Sequence, residues 1–173
     1  MESFLTKLKD ITTFIFDVDG VLTDGSVYVT ENGEQSRAFN IKDGYAIQLA
    51  VKCGYTVCAI SGSRSKSAVY RLNSLGVTDV YMGTRAKADR FKIFLEEKTT
   101  AAGNVLFMGD DIPDLGAMKL AGLPVCPADA VEEIKAVSLY VSPYAGGKGC
   151  ARDIIEKVLK VQGKWMSEEA YSW

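Results

Sequence analysis

The chain has 173 residues, 47% of them hydrophobic, and its 20 Lys and Arg against 22 Asp and Glu leave a net charge of −2. These values are ordinary for a globular protein, and they exclude a broad basic surface that would attract nucleic acid or an anionic membrane. Because the chain contains no His, acid/base chemistry must use other side chains, and a resident metal must be one that takes oxygen ligands.

Short apolar runs that end in polar or Gly-containing turns mark the predicted strands. Buried parallel strands have this length and composition. The four clearest runs are 12–18, 55–60, 79–83 and 104–109, and two weaker ones are 123–127 and 139–143.

Segments with apolar residues at intervals of three and four positions separate these strands and predict helices. Gly54, Gly76 and Gly122 end three of the segments, where a residue of left-handed conformation typically closes a helix. The alternation predicts an α/β fold with a doubly wound, mostly parallel, Rossmann-like sheet. The helical segments are 43–54, 65–76, 86–99, 114–122 and 151–163.

One segment, 25–41, breaks the alternation and predicts a β-hairpin inserted after the first strand. Val29 precedes an Asn32-Gly33 turn and Phe39 follows it. Such a hairpin would project from the carboxyl edge of the sheet, and its apolar face would need cover.

The rest of the chain gives no sign of a second domain. We expect one domain at 1–165 and a C-terminal tail at 166–173, since no linker, repeat or low-complexity tract interrupts the sequence. No apolar run reaches the roughly 18 residues of a membrane span. The amino end is too short and too charged for a signal peptide, and the four cysteines form no C-x-x-C pair. We therefore expect a cytoplasmic protein with no membrane or nucleic-acid partner.

Three carboxylates follow the first predicted strand, in the run D-V-D-G-V-L-T-D at 17–24. Asp17 and Asp19 are two positions apart and point the same way, while the chain leaves through Gly20. Ligands bind outside the carboxyl ends of parallel strands, and two adjacent carboxylates in such a place favour a cation. An Asp-rich turn that only caps the next element would have the same sequence.

A second acidic cluster, G-D-D-I-P-D at 109–114, follows another predicted strand. If the two strands are neighbours, Asp17 and Asp110 can share one Mg²⁺, with carbonyl oxygens, water and a substrate phosphate completing its octahedron. Asp114 can serve as a helix N-cap, as part of this site, or as both.

Two further strand ends carry groups suited to a phosphate. Ser61 and Gly62 place a hydroxyl and free amides at a predicted helix start, which favours an anion. Lys87 opens the next helix, where the helix dipole disfavours a positive charge, and this points to a compensating role. An ordinary turn and a solvated lysine are the alternatives.

These motifs occur in the order of the haloacid dehalogenase-like phosphohydrolases, which the chain resembles: D-x-D-G-V-x-T, Ser or Thr, Lys, and G-D-D-x-x-D. The resemblance implies Mg²⁺-dependent hydrolysis of a phosphomonoester through an aspartyl-phosphate. A non-catalytic scaffold with this fold is the alternative from another class, and its expected signature is loss of Asp17 or Asp19. The implied roles are Asp17 as nucleophile and metal ligand, Asp19 as general acid/base and as metal ligand through its carbonyl, Ser61 and Gly62 as substrate ligands, Lys87 as charge stabiliser, and Asp110 and Asp114 at the metal.

Within that family the chain resembles the branch that acts on acidic sugar phosphates, and it does so over nearly its whole length. The hairpin and one helix leave no room for a cap domain between the first two motifs. The resemblance implies substrate binding by Lys42, Arg71, Lys148 and Arg152. It also implies a homotetramer assembled through the hairpins.

The substrate of that branch is 3-deoxy-D-manno-octulosonate 8-phosphate, used for lipopolysaccharide, or a sialic-acid-like nonulosonate 9-phosphate. Lys42 stands where the branch often has Arg, and Lys cannot hold a sugar carboxylate in a bidentate manner. The octulosonate phosphate is the expected substrate, with the nonulosonate as the alternative.

Overall fold

Six parallel strands form the central sheet, and two further strands form a separate hairpin. The computed structural model describes residues 4–172. The sheet order is β5-β4-β1-β6-β7-β8, with β2 and β3 paired antiparallel. The strands are β1 (Thr13–Phe16), β2 (Tyr28–Val29), β3 (Gln35–Ser36), β4 (Thr56–Ile60), β5 (Asp79–Tyr81), β6 (Val105–Met108), β7 (Leu123–Cys126) and β8 (Tyr140–Val141).

Helices cover both faces of this sheet. Short 3₁₀ segments lie at Ala102–Asn104, Ile112–Asp114 and Glu168–Tyr171. Within residues 4–172, no helix combines the length and the apolar character that crossing a bilayer requires. The α-helices are α1 (Phe4–Lys7), α2 (Ile41–Lys52), α3 (Lys66–Ser74), α4 (Lys87–Lys98), α5 (Leu115–Met118), α6 (Glu132–Val137) and α7 (Cys150–Val161).

The central strand β1 carries apolar side chains on both of its faces, because each face of the sheet has its own core. Phe14 and Phe16 belong to the core that packs against α2 and α7, whereas Ile15 belongs to the core that packs against α4. All four residues of β1 are buried. This pattern is expected where helices cover a parallel sheet on both sides.

The predicted α/β fold is confirmed, including the parallel sheet and the hairpin after β1. The hairpin strands are only two residues long each. The short helices α1 and α6 were not predicted, since a single turn or two gives too few apolar positions for a helical period. In α6, for example, only Ile134 is buried.

Two of the three predicted helix-closing glycines have the expected conformation, and the third does not. Gly54 and Gly76 each have φ of +85°, the left-handed region that glycine tolerates. Gly122 is not among the residues with positive φ. Its requirement for glycine comes from packing instead, because a Cβ there would collide with the backbone of Gly103.

The C-terminal tail docks on α2 through its backbone. The Tyr45 hydroxyl donates a hydrogen bond to the Ala170 carbonyl at 2.6 Å, and Lys52 Nζ donates to the Ser172 carbonyl at 2.7 Å. Position 173, the last residue of the predicted tail, lies outside the described residues.

Asp43, in the first turn of α2, holds the start of α7. Its carboxylate accepts hydrogen bonds from the backbone N–H groups of Gly149 at 3.1 Å and Arg152 at 2.7 Å. The first N–H groups of a helix have no partner within the helix, so a buried acceptor from a second helix ties the two together.

We predict that Asp43→Ala lowers the free energy of unfolding by about 2 kcal/mol, because two backbone N–H groups lose their buried acceptor. Denaturant titration followed by circular dichroism measures this loss. Asp89→Ala is the matched control, since Asp89 lies in the first turn of α4 but is exposed, and it should cost less than about 0.5 kcal/mol. Equal costs for the two variants would contradict the capping role.

Candidate active site

Three adjacent strands end at one cleft on the carboxyl edge of the sheet. Asp17 follows β1, Asp110 follows β6 and Ser61 follows β4. Pairing of the backbone continues past the strand, since the Asp17 N–H donates to the Met108 carbonyl at 3.0 Å. The neighbouring strands therefore fix the spacing of the side chains that follow them.

This cleft has a volume of about 250 Å³ and brings together most of the predicted site residues. Ser63, Thr84, Asp111 and Pro113 also line it and were not among the predicted site residues. The predicted residues that line it are Asp17, Asp19, Ser61, Gly62, Lys87, Asp110 and Asp114.

Lys87 lies at the base of the cleft, between two carboxylates. Its Nζ lies 2.8 Å from Asp17 Oδ1 and donates a hydrogen bond to Asp114 Oδ1 at 2.6 Å. Burial lowers the pKa of Lys87, but Asp17 and Asp114 more than offset burial and leave the pKa raised. The residue is therefore a fixed ammonium group, held by Asp114 against the nucleophile candidate.

The cleft places three carboxylates, those of Asp17, Asp110 and Asp114, around one ammonium group, that of Lys87. Burial and the charge of Asp114 raise the pKa of Asp17 to about 6, although Lys87 opposes the change. Burial and the charges of Asp17 and Asp114 raise the pKa of Asp110 to about 7. Excess negative charge in a buried place favours binding of a cation.

The donor set fits a hard divalent cation. One carboxylate oxygen from each of Asp17, Asp110 and Asp114 lies within 4.8 Å of the other two. Asp110 Oδ1 is buried without a hydrogen-bond partner, and a Cβ on Gly20 would collide with the Asp110 carboxylate. Oxygen donors of this kind suit Mg²⁺.

Asp114 differs from the other two carboxylates in its partners. Its Oδ1 accepts from Lys87, and its Oδ2 accepts the Asp110 backbone N–H at 3.2 Å. With both oxygens engaged, Asp114 is better placed to orient Lys87 and the 109–114 loop than to bind a metal directly. The sequence had left a capping role open, but no cap hydrogen bond from this side chain is formed to α5.

The segment predicted to bind phosphate, at Ser61 and Gly62, is placed differently from the prediction. The Ser61 N–H donates to the Tyr81 carbonyl at 2.9 Å and is not free. Helix α3 begins at Lys66 and is capped by Ser65, so Ser61 and Gly62 do not stand at its start. The Ser61 hydroxyl accepts the Ser63 N–H at 3.2 Å, and the Ser63 hydroxyl is buried without a hydrogen-bond partner. The O–H groups of both serines are therefore able to donate to an anion.

Asp19 is held by a residue that sequence analysis did not single out. Arg37, from the hairpin, donates from Nε to Asp19 Oδ1 at 2.6 Å and from Nη2 to Oδ2 at 3.1 Å. No sequence motif could have revealed this pair, because it depends on how the hairpin folds back over the turn after β1.

Four predicted substrate-binding residues lie away from the Asp17 cleft. Lys42, Lys148 and Arg152 line a separate cavity of about 560 Å³ beside α7, and Lys148 Nζ lies 3.4 Å from Asp24. Arg71 packs over Gly44 on α2, where a Cβ would collide with its guanidinium. A single chain therefore does not bring these four residues to the nucleophile candidate.

The G-G-K-G loop at 146–149 has a structural role beside the site. The Gly147 N–H donates to the Val21 carbonyl at 2.9 Å, and Asn40 Nδ2 donates to the Gly147 carbonyl at 3.2 Å. Gly146 lies so close to the Gly20 backbone that a Cβ would not fit. The loop supports the turn that carries Asp17 and Asp19.

Several known proteins are similar to this chain, although no protein-family model matches it. The 3-deoxy-D-manno-octulosonate 8-phosphate phosphatase of Salmonella typhi is 39% identical over 160 residues, which are 92% of this chain and 85% of that protein. The Moraxella catarrhalis enzyme of that name, solved in complex with a magnesium ion, a phosphate ion and a KDO molecule, has a TM-score of 0.91 at 30% identity, covering 93% of this chain and 92% of that one. The cobalt-bound deoxy-D-mannose-octulosonate 8-phosphate phosphatase of Haemophilus influenzae has a TM-score of 0.90 at 30% identity, covering 95% of this chain and 98% of that one.

We predict that Mg²⁺ raises the melting temperature more at about pH 8 than at about pH 5, because binding requires ionised Asp17 and Asp110. Their raised pKa values, about 6 and about 7, mean that without metal the folded state loses stability as pH rises through this range. Differential scanning fluorimetry with and without Mg²⁺ measures the effect. Asp110→Asn should abolish the stabilisation by Mg²⁺ at both pH values, and an equal Mg²⁺ effect at both pH values in the unsubstituted protein would contradict the assignment.

Proposed function

The chain belongs to the family of 3-deoxy-D-manno-octulosonate 8-phosphate phosphatases, within the haloacid dehalogenase-like phosphohydrolases, and on that premise we propose that it hydrolyses 3-deoxy-D-manno-octulosonate 8-phosphate. The product sugar is the one used for lipopolysaccharide. The observation that carries the proposal is the position of Asp17, with Lys87 on one side and Asp110 on the other, in a chain 39% identical to such an enzyme.

In the first step, an Asp17 carboxylate oxygen attacks phosphorus and the bond from phosphorus to the sugar oxygen breaks. Asp19 donates a proton to that oxygen, so that the sugar leaves as an alcohol. The product of this step is an aspartyl-phosphate on Asp17. Lys87 keeps Asp17 oriented through its 2.8 Å contact.

In the second step, water attacks the phosphorus of the aspartyl-phosphate. Asp19 accepts a proton from this water, and the bond between phosphorus and the Asp17 oxygen breaks to release inorganic phosphate. Each proton that Asp19 gives up in the first step is recovered in the second, so the enzyme returns to its starting state.

Groups that are already in place stabilise the negative charge on the phosphoryl oxygens. Lys87 is fixed as an ammonium group, and the Ser61 and Ser63 side chains line the same cleft. The carboxylates of Asp17 and Asp110, with the Asp19 carbonyl, would hold Mg²⁺, which would supply further positive charge when bound. Such fixed charges stabilise the transition state more than the substrate.

The protein is further proposed to work as a homotetramer assembled through the hairpin. The apolar side chains of Tyr28 and Val29 are 64% and 62% exposed on a two-stranded unit, which is rarely stable without cover. Lys42, Lys148 and Arg152 line a cavity separate from their own chain's cleft. Assembly would let these residues serve the cleft of a neighbouring subunit.

A cytoplasmic location agrees with the chemistry of the cysteines. Cys53, Cys58, Cys126 and Cys150 are all unpaired, as is usual in a reducing compartment.

The substrate proposal is tested by phosphate release with Mg²⁺ across octulosonate 8-phosphate, nonulosonate 9-phosphates and neutral hexose phosphates. We expect the highest kcat/KM for the octulosonate ester. Asp17→Asn should reduce turnover at least about 10⁴-fold, since it removes the nucleophile, with an unchanged circular dichroism spectrum. A preference for a nonulosonate ester would contradict the proposed substrate. Turnover by Asp17→Asn would contradict the mechanism.

The assembly proposal is tested with Tyr28→Asp combined with Val29→Asp. These charges cannot be buried in a subunit interface without a large cost, so we expect a monomer by size-exclusion chromatography with light scattering. Tyr70→Asp on α3 is the control, because Tyr70 is also a highly exposed tyrosine and lies outside the hairpin. A tetramer in the doubly substituted protein would contradict assembly through this surface.

A further inference from the structure

Arg37 joins the hairpin to the acid/base candidate through an ion pair. The Arg37 side chain is 4% exposed and that of Asp19 is 30% exposed, although the strands of the hairpin beside Arg37 are exposed. Two parallel hydrogen bonds, of 2.6 and 3.1 Å, reach the two oxygens of Asp19. A bidentate pair of this kind fixes direction as well as distance, which a single hydrogen bond does not.

The pair with Asp19 leaves part of the Arg37 guanidinium without a hydrogen-bond partner. Arg37 Nη1 is buried and has no hydrogen-bond partner, so donors remain free for an acceptor that is not part of the chain. Buried polar groups without partners are uncommon and call for an explanation.

Arg37 also lines a cavity of about 720 Å³ between the hairpin and the start of α3. Arg64 and Lys66 line it as well, and Glu34 is the one acidic residue among its lining residues. Arg64 follows Ser63, which lines the Asp17 cleft. The cavity is therefore cationic and adjoins the cleft on the side of Asp19.

We propose that Arg37 is a positioning residue, which aims the Asp19 carboxyl group at the leaving oxygen while the acidic leaving group occupies the cavity between the hairpin and α3. This inference rests on the acid/base role proposed for Asp19. Arg37 itself exchanges no proton, because a guanidinium stays protonated in proteins.

The pair holds the Asp19 carboxyl group in one orientation for both steps of the reaction. Its two hydrogen bonds reach separate oxygens, so rotation of the carboxyl group would break at least one of them. Arg37 also lines the cavity between the hairpin and α3, so that one side chain borders both the proposed leaving-group cavity and the acid.

The test uses kcat/KM for a series of aryl phosphates, from p-nitrophenyl phosphate to phenyl phosphate. These esters lack the sugar, and kcat/KM reports only steps up to the departure of the phenol. p-Nitrophenolate leaves without a proton, whereas phenolate needs one. We expect Arg37→Met to reduce kcat/KM about 10²-fold for phenyl phosphate and less than about 5-fold for p-nitrophenyl phosphate.

Two variants serve as controls for charge and for geometry. Arg64→Met removes the same charge from the same cavity, and in residues 4–172 no hydrogen bond joins Arg64 to Asp19, so both esters should be affected equally. Arg37→Lys keeps the charge without the bidentate geometry and should fall between Arg37→Met and the unsubstituted protein. If Arg64→Met reproduced the leaving-group dependence, charge alone would be sufficient and the inference would be overturned.

A double-mutant cycle separates this inference from the proposed function. In an Asp19→Asn background, Arg37→Met should change kcat/KM for phenyl phosphate less than about 3-fold, because a residue acting through Asp19 has nothing left to position. If the losses in kcat/KM caused by the two substitutions multiplied independently, the positioning role of Arg37 would be overturned while the acid/base role of Asp19 remained. If Asp19→Asn by itself left turnover unchanged, the acid/base assignment would fail, and the inference with it.

Discussion

The ammonium group of Lys87, shared between Asp17 and Asp114, is the interaction on which the rest of the site depends. Three carboxylates meet in a buried place at the ends of β1 and β6, and one fixed cation does not balance them, as the raised pKa values of Asp17 and Asp110 indicate. Asp114 binds Lys87 and the Asp110 amide, so Asp17 and Asp110 carry the remaining negative charge. A divalent cation is what that imbalance favours.

Close backbone contacts around this cluster of carboxylates restrict its movement. The turn after β1 has no space for side chains where Gly20 meets the Asp110 carboxylate and where Gly146 meets Gly20. Asp43 anchors the start of α7, immediately after the 146–149 loop. Electrostatic catalysis needs charges that do not reorganise during the reaction, and these close backbone contacts provide that rigidity.

Much of the fold and the centre of the site were predictable because parallel strands impose strong local rules. Asp17 and Asp110 follow apolar runs, and the carboxyl ends of neighbouring parallel strands meet at one edge. The Arg37 pair with Asp19 was not predictable, since it depends on the path of a hairpin whose strands have two residues each. Helix α6 escaped prediction because it buries a single side chain, whereas α3 begins within one residue of the predicted segment 65–76.

Lys42, Arg71, Lys148 and Arg152 illustrate a different limit. Their assignment came from resemblance, and in a single chain Lys42, Lys148 and Arg152 line the cavity beside α7 while Arg71 packs over Gly44, away from the cleft. Resemblance assigned them to substrate binding without stating whether the cleft is that of their own chain or of another subunit. The exposed apolar hairpin is the physical reason to expect a neighbouring subunit.

The central claim is that Asp17 forms a covalent bond to phosphorus. The most direct measurement is acid quenching during turnover, followed by borohydride reduction and peptide mass spectrometry, since borohydride converts an aspartyl-phosphate to homoserine. The account predicts homoserine at position 17 and at no other aspartate. Homoserine at another position, or full turnover with no trapped residue under conditions that trap a known aspartyl-phosphate, would contradict it.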